Sequence, residues 1–206
     1  MKYLFWDFNG TVLDDAKLCY DILNEMLIEE KRPTVTFDEY LMIFDFPVES
    51  YYAKVYDLEK TSFKELAHTF IERYMPRSLE LNLHEGVLNA IHQAKHKGYQ
   101  NILLSASEES NLQKQLVHFG IDQYFDAILG TSNVYAKSKV DVALQFIKKH
   151  HINPQECYMV GDTLHDAEVA EALGIQIIIY TKGHQHPSRL GHYTNINHFN
   201  ELLDKI

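Results

Sequence analysis

Three carboxylates stand directly after short apolar segments of the chain, where strands of a parallel sheet would end. Asp7 follows the apolar run that begins at Tyr3, and Asp162 and Asp166 lie in GDTLHD after the run CYMV. Carboxylates gathered at one sheet edge repel each other unless a cation lies between them. An all-oxygen ligand set favours Mg²⁺. Alone, the G-D-x-x-x-D spacing is a weak signal, because a turn followed by a helix N-cap has the same pattern.

A hydroxyl and a lysine occupy comparable positions. Ser105 follows the apolar residues of NILL, and its side chain, with the backbone N–H of Ala106, could bind an anionic oxygen at a helix start. Lys139 opens a predicted helix and could reach a phosphate while screening the aspartates from one another. An ordinary turn explains the serine equally well, and Lys137 is two residues from Lys139.

Together these residues describe one chemistry, because they occur in the order Asp, Ser, Lys, Asp pair, each beside a predicted strand end. Asp7 could attack phosphorus as a nucleophile. A metal ion and Lys139 could neutralise charge on the phosphoryl oxygens, while Ser105 orients them. The sequence therefore points to phosphoryl transfer at one edge of a sheet.

Strands and helices alternate over most of the chain, and this alternation predicts an α/β fold with a doubly wound parallel sheet. In such a sheet the active crevice lies outside the carboxyl ends of the strands. After a first strand at Tyr3–Phe8, the predicted strands are NILLSAS, YFDAILG, CYMVGD and IQIIIYTKG. The predicted helices are GVLNAIHQAKHKG, NLQKQLVHFG, SKVDVALQFIKKHHI, DAEVAEALG and a terminal NHFNELLDKI.

The segment 15–82 has a different pattern. Apolar residues recur at helical spacing in CYDILNEMLIEE, FDEYLMIF and FKELAHTFIERYM, separated by Pro33, Pro47 and Pro76, and no strand is predicted there. We therefore predict a small all-helical domain at 15–82, inserted into a core formed by 1–14 and 83–206. Asp14 and Asp15 are interpreted as helix-start carboxylates without a catalytic role.

Composition excludes several classes of function. The 206 residues carry a net charge of −10, which argues against binding to nucleic acid, and no apolar run approaches the length of a membrane span. The only two cysteines, Cys19 and Cys157, lie far apart without metal-like or redox-like spacing, so we predict a reducing, cytoplasmic location. The remaining expected partner is a small phosphorylated metabolite, and the oligomeric state stays open.

The motifs of this chain resemble those of the haloacid dehalogenase superfamily, in particular its phosphatase branch. The resemblance is carried by DFNGTVLDD (7–15), LLSAS (103–107), Lys139 in SKVD, and GDTLHDAEVAEALGI (161–175). It implies a Rossmann-like core, and the segment 15–82 matches the helical cap that this branch inserts after its first motif. FDFPVESYY (44–52) is similar to a cap segment of phosphoglycolate-phosphatase-like members.

The resemblance also implies roles for particular residues. Asp7 would form an aspartyl-phosphate, and Mg²⁺ would be held by Asp7, the backbone carbonyl of Asn9, Asp162 and Asp166, the last directly or through water. Ser105, Ala106 and Lys139 would bind the phosphate. The cap would close over the substrate, and its aromatic residues Phe46, Tyr51 and Tyr52 either line the pocket or form the core of the cap.

Asn9 departs from the pattern, because phosphatases of this kind usually carry Asp two places after the nucleophile. An amide can donate a hydrogen bond, but it cannot move a proton between leaving group and water. The enzyme could recruit another group, such as His165 or Glu108, or the protein could bind a phosphometabolite or a partner without turnover. On the first reading, activity should rise in Asn9→Asp. His184 and His186, in a predicted loop, lack an evident third metal ligand.

Overall fold

Short apolar segments of this chain form a parallel sheet, because the connections between them, most of which contain a helix, carry the chain back to the same end of the sheet. The computed structural model describes residues 1–131 and 138–206. The six strands are β1 (Lys2–Trp6), β2 (Tyr99–Glu108), β3 (Ala127–Thr131), β4 (Cys157–Gly161), β5 (Gln176–Tyr180) and β6 (Asn195–Ile196). Their order is β3-β2-β1-β4-β5-β6, and all five pairings are parallel.

Helices cover both faces of the sheet, which confirms the predicted doubly wound, Rossmann-like α/β fold. Alternate residues of β1 point to opposite faces, so that Leu4 and Trp6 join one buried cluster and Phe5 joins another. These core helices are α5 (Val87–His96), α6 (Glu109–Phe119), α7 (Lys139–Lys149) and α8 (Leu164–Leu173). β1 lies between β2 and β4 at the centre of the sheet, so residues that follow it are surrounded by neighbouring strand ends.

Four helices lie between β1 and α5, where the helical pattern predicts three. They are α1 (Ala16–Glu29), α2 (Phe37–Ile43), α3 (Val48–Tyr52) and α4 (Phe63–Ser78). Their apolar faces meet in a separate cluster that contains Ile22, Leu27, Tyr40 and Tyr52. We call α1–α4 and their connections the cap; its boundaries at 15 and 82 stay a prediction.

Several local predictions were wrong. Pro76 does not end a helix but lies inside α4, and the five-residue α3 was not predicted. The C-terminal segment forms the two-residue strand β6 and a 3₁₀ helix at Phe199–Asp204 instead of one α-helix. Such short elements carry too few residues to show a periodicity in the sequence.

Candidate active site

Lys139 bridges two of the predicted acidic residues. Ser138 and Asp141 form a capping box that fixes the start of α7, and Lys139 is the first residue of that helix. Its Nζ lies 2.5 Å from Asp7 Oδ1 and 2.6 Å from Asp166 Oδ1, and all three side chains are buried. The structure thus brings together residues from three distant segments, as the sequence predicted. Lys137 lies outside the described residues.

Asp162 and Asp166 follow β4 and are held by several donors. Asp166 forms a capping box with Thr163 at the start of α8, which is the turn followed by a helix N-cap that the GDTLHD spacing also predicts. Asp166 Oδ2 accepts hydrogen bonds from the N–H groups of Asp162 and Thr163 and from the Thr163 hydroxyl. Asp162 accepts from the Thr11 hydroxyl at 3.0 Å and from the His184 N–H at 2.7 Å.

The carboxylates of Asp7, Asp162 and Asp166 form a cluster that suits a hard cation. One oxygen of each lies within 4.8 Å of the other two. Burial raises the pKa of Asp7 well above its usual range, although the Lys139 cation opposes this, and burial raises the pKa of Asp162 to about 6. Burial also disfavours ionisation of Asp166, but Lys139 outweighs it and lowers that pKa. One lysine thus leaves the cluster short of positive charge, and an all-oxygen set of this kind fits Mg²⁺.

Two glycines allow backbone to approach Asp162 closely. Gly10 has φ +75°, a left-handed conformation, and a Cβ added there would collide with the carboxylate of Asp162 and the ring of His184. A Cβ on Gly183 would also collide with the Asp162 carboxylate. The glycine of the Asn9-Gly10 pair therefore lies where the backbone is in direct contact with the carboxylate cluster.

Asn9 uses its amide within the protein. Its Nδ2 donates to Asp15 Oδ2 at 2.8 Å and to the hydroxyl of Tyr74 at 2.7 Å, while its Oδ1 accepts from the Ser107 hydroxyl at 3.0 Å. Tyr74 in turn donates to the same oxygen of Asp15 at 2.6 Å. A carboxylate at position 9 would have no proton to give to Asp15, and two acids would face each other in a buried network. The amide is therefore the residue type that Asp15 requires.

Asp15 is a buried member of the site, and it also occupies the helix-start position that the sequence predicts. It immediately precedes α1 but its side chain does not cap that helix. Its Oδ1 accepts from the Gly10 N–H at 2.7 Å and lies 3.0 Å from His184 Nε2. The other ring nitrogen of His184 lies 2.8 Å from the hydroxyl of Tyr40 in α2. This chain of contacts joins the first motif to the cap and to the loop after β5.

His184 is a cation in this setting. Burial favours its neutral form, but the carboxylates of Asp15, Asp162 and Asp7 outweigh burial and raise the pKa of His184 to about 9. Conversely, the pKa of Asp15 is lowered, because the charge of His184 and the hydrogen bonds from His184, Tyr74 and Asn9 together outweigh the effect of burial. The two residues therefore form an ion pair at neutral pH.

This ion pair gives an expected pH dependence of stability in the metal-free protein. Because the folded-state pKa of His184 is about 9 and the unfolded value is about 6.5, its contribution is complete below pH ~6.5 and is lost as pH rises through 9. Each pKa unit corresponds to about 1.4 kcal/mol, so the contribution is on the order of 3 kcal/mol. Urea unfolding in chelator across this range should show a steeper loss of stability for wild type than for His184→Gln. The exposed His192→Gln serves as control, and parallel curves for wild type and His184→Gln would contradict the ion pair.

The predicted phosphate-binding residues lie differently from the expectation. Ser105 and Ala106 lie inside β2, four and three residues before α6 begins at Glu109, so they do not form a helix-start site. The pairing of β2 with β3 shifts between Leu104 and Glu108, so these residues lie at an irregularity of the strand. Ser105 Oγ accepts from the Ser107 N–H at 3.1 Å, and Ser105 and Ala106 both line the cavity above Asp7.

That cavity has a volume of about 250 Å³, and the cap forms its far wall. Phe46, Tyr51 and Tyr52 all line it, and all three also pack in the core of the cap, so both readings of these aromatic residues hold. Of the two candidates to replace the acid at position 9, His165 lines the cavity and stacks on Phe46 at 4.6 Å. Glu108 instead caps α6 by accepting from two backbone N–H groups.

Sequence reasoning missed four residues of this site, namely Asp15, Tyr40, Tyr74 and His184. Their positions in the cavity depend on how the cap meets the core, which no local pattern records. One signal was present in the sequence. Position 9 carries an amide where an acid is usual, and a pair of acids follows at 14–15.

Comparison with known proteins agrees with this geometry. The family model described as haloacid dehalogenase-like hydrolase matches residues 4–180. This chain belongs to the haloacid dehalogenase-like hydrolase family. A phosphoglycolate phosphatase of Cereibacter sphaeroides is 26% identical over 217 aligned positions that cover 100% of this chain and 98% of that protein.

One further sequence relative and one solved structure are similar to this haloacid dehalogenase-like hydrolase. The tyrosine-protein kinase PtkA of Mycobacterium tuberculosis is 30% identical over 113 residues, which cover 54% of this chain and only 39% of the kinase. A haloacid dehalogenase-like family hydrolase from Streptococcus pneumoniae shares the fold with a TM-score of 0.83 and 21% identity, covering 100% of this chain and 98% of that one. Within the described residues, the helices are all too short or too polar to cross a bilayer.

Proposed function

We propose that this protein is a Mg²⁺-dependent phosphatase that hydrolyses a small phosphomonoester through a phosphoryl group held on Asp7. The observation that carries the proposal is the position of Lys139, which is buried between Asp7 and Asp166 at the base of the cavity. A lysine in this place neutralises charge next to a nucleophile without blocking its second oxygen. The family relationship and the relatives named phosphoglycolate phosphatase support the same reaction class.

The metal would be held by the oxygen-rich end of the site. Asp7, Asp162 and the backbone carbonyl of Asn9 would supply ligands. Asp166 Oδ2 already accepts from three donors, and Oδ1 lies 2.6 Å from Lys139 Nζ, so Oδ1 would share its remaining lone pair with the ion, directly or through water. When bound, Mg²⁺ would withdraw charge from the phosphoryl oxygens and bring phosphorus towards the nucleophile.

The residues of the chain would act in two displacements. Asp7 forms a bond to phosphorus as the alcohol leaves, and water then breaks the Asp7–phosphoryl bond to release inorganic phosphate. Lys139 and the Ser105 hydroxyl, with the Ala106 N–H, would hold the transferred oxygens. Asn9 cannot supply the proton for the first step or remove one in the second. We therefore expect good leaving groups to react fastest and the second step to be slow.

We also propose a cytoplasmic location and a cap that closes over the substrate. Both cysteines are buried and free, which suits the reducing cytoplasm. The cap would exclude bulk water from the phosphoryl group, as closed sites of this kind do.

Phosphate release from an aryl phosphate tests the function. We expect turnover with Mg²⁺, a loss of at least about tenfold on chelation, and recovery when Mg²⁺ is restored. Thermal unfolding measured with and without Mg²⁺ should also shift upward on addition of the ion, because ligand binding to the folded state stabilises it. Absence of phosphate release from the aryl phosphate and from a metabolite panel, with a Mg²⁺-induced shift still present, would favour a protein that binds phosphate without turnover.

A further inference from the structure

The wall of the cavity opposite the carboxylates is apolar. It is formed by side chains from the loop before α3, from α3 itself and from α4. These residues are Phe46, Val48, Tyr51, Tyr52, Phe70 and Ile71. Aromatic stacking fixes part of this wall, since Phe46 stacks on His165 at 4.6 Å and Phe70 on Tyr74 at 5.5 Å. The organic part of a bound ester would lie against this wall.

Lysine and arginine are absent from that wall among the residues that the structure describes. In the whole described lining they are represented only by Lys139, which is already shared by Asp7 and Asp166. Of the two histidines in the lining, His184 is paired with Asp15, and His165 stacks on Phe46 and lies 3.4 Å from Glu168. A second anionic group on the substrate would therefore lose its water without meeting a lysine or arginine in the described part of the cavity.

The basic residues of the cap are bound elsewhere. Arg73 and Arg77 in α4 pair with Glu29 and Glu25 of α1, at 2.6 and 2.9 Å. Lys54 donates to the carbonyl of Ile43 at 2.9 Å. None of these three cations lines the cavity. These three cations thus bind within the cap, and the described cap residues that line the cavity include no lysine or arginine.

The cavity volume limits the size of the ligand. At about 250 Å³, it is smaller than the roughly 300–1,000 Å³ of typical ligand pockets. Resting on the phosphatase function proposed above, we propose that the preferred substrates are compact monophosphate esters whose organic group is uncharged and apolar. Esters that carry a second anionic group, such as phosphoglycolate, are disfavoured.

Three esters of matched size test this inference. Isobutyl phosphate, the amide of phosphoglycolate, and phosphoglycolate itself have the same number of heavy atoms and differ in polarity and charge. We expect kcat/KM to fall in that order, with at least about a tenfold difference between the first and the last, because an unpaired charge is costly to bury. Intrinsic reactivity does not produce this order, since the carbonyl group makes the latter two alcohols the better leaving groups.

Equal or faster hydrolysis of phosphoglycolate, or no hydrolysis of any of the three when an aryl phosphate is turned over, would overturn the inference alone. Absence of turnover of the aryl phosphate as well would overturn the phosphatase function on which it rests. The two failures are therefore distinguishable.

Variants of the wall sharpen the test. Ile71 lies at the partly exposed edge of the cavity, so Ile71→Arg can add a cation without burying it fully. This change should raise the kcat/KM for phosphoglycolate relative to that for isobutyl phosphate by about tenfold or more. Ile71→Met should keep the original order of kcat/KM among the three esters. An unchanged ratio in Ile71→Arg would contradict the account of charge in the wall.

Discussion

Asp7→Asn is expected to lower the rate of phosphate release by about 10⁴-fold or more. Catalytic residues act as a unit, so loss of the nucleophile removes most of their combined rate enhancement. The amide keeps the size of the side chain and can still accept a hydrogen bond from Lys139, which lies 2.5 Å away. Rates are measured with an aryl phosphate and saturating Mg²⁺. Asp7→Ala serves as a second variant.

The stability of the folded Asp7→Asn protein, unlike its activity, should not fall. The pKa of Asp7 is raised by burial, so its ionised form destabilises the folded, metal-free protein at neutral pH. An uncharged amide removes that cost, while Lys139 keeps its contact with Asp166. We therefore expect the Tm of Asp7→Asn in chelator to equal or exceed that of wild type. A large loss of stability would instead mean that the variant is inactive because it does not fold.

The second large effect is expected when the amide at position 9 and the acid at position 15 are exchanged. In Asn9→Asp, the new carboxylate faces Asp15 Oδ2, which now lies 2.8 Å from an amide donor. In Asp15→Asn, the ion pair with His184 is lost and two amide groups compete as donors. Each single change should cost on the order of 1–3 kcal/mol of stability, the usual cost of an unpaired buried polar group.

The double variant Asn9→Asp/Asp15→Asn should recover the part of this loss that arises between the two positions, because an amide at position 15 can donate to a carboxylate at position 9, whereas the ion pair with His184 stays broken. A double-mutant cycle should give a favourable coupling of about 1 kcal/mol or more between the two positions. The double variant should also exceed Asn9→Asp in kcat, since it places an acid beside the nucleophile without an opposing charge. Denaturant unfolding and kcat are measured for all four proteins.

This expectation replaces the simpler one drawn from the sequence, in which Asn9→Asp alone raises activity. Additive effects of the two substitutions, or full activity of Asn9→Asp without loss of stability, would contradict the role given to Asp15. As a control, Asp14→Asn changes an acid that is more than half exposed next to Asp15 and should show little coupling to position 9.

Residues at strand ends were predictable from sequence because the physics that places them is local. Apolar runs of five or six residues followed by an acid specify both the strand and the end of the sheet at which Asp7 and Asp162 stand. Lys139 was predictable for the same reason, since Ser138 and Asp141 show where its helix begins. The order of the motifs along the chain then supplied the reaction class.

The surroundings of Asn9 were not predictable in this way. Tyr74 lies in α4 and His184 in the loop after β5, and each meets Asp15 only because the cap packs on the core. Distances in sequence of 59 and 169 residues separate these partners. No periodicity or turn signal carries such information. The polarity of the cavity wall is hidden for the same reason, because the pairing of cap arginines with cap acids is a tertiary feature.

The most direct test of the account is chemical identification of the phosphorylated residue during turnover. Because Asn9 cannot activate water, the phosphoryl group should accumulate on Asp7 when an aryl phosphate is the substrate. Acid quenching followed by borohydride reduction should convert the phosphorylated carboxyl to the alcohol of homoserine, which mass spectrometry locates by peptide. We expect this change at position 7 in wild type and not in Asp7→Asn. Sustained turnover with position 7 unmodified and another residue labelled would contradict the central claim.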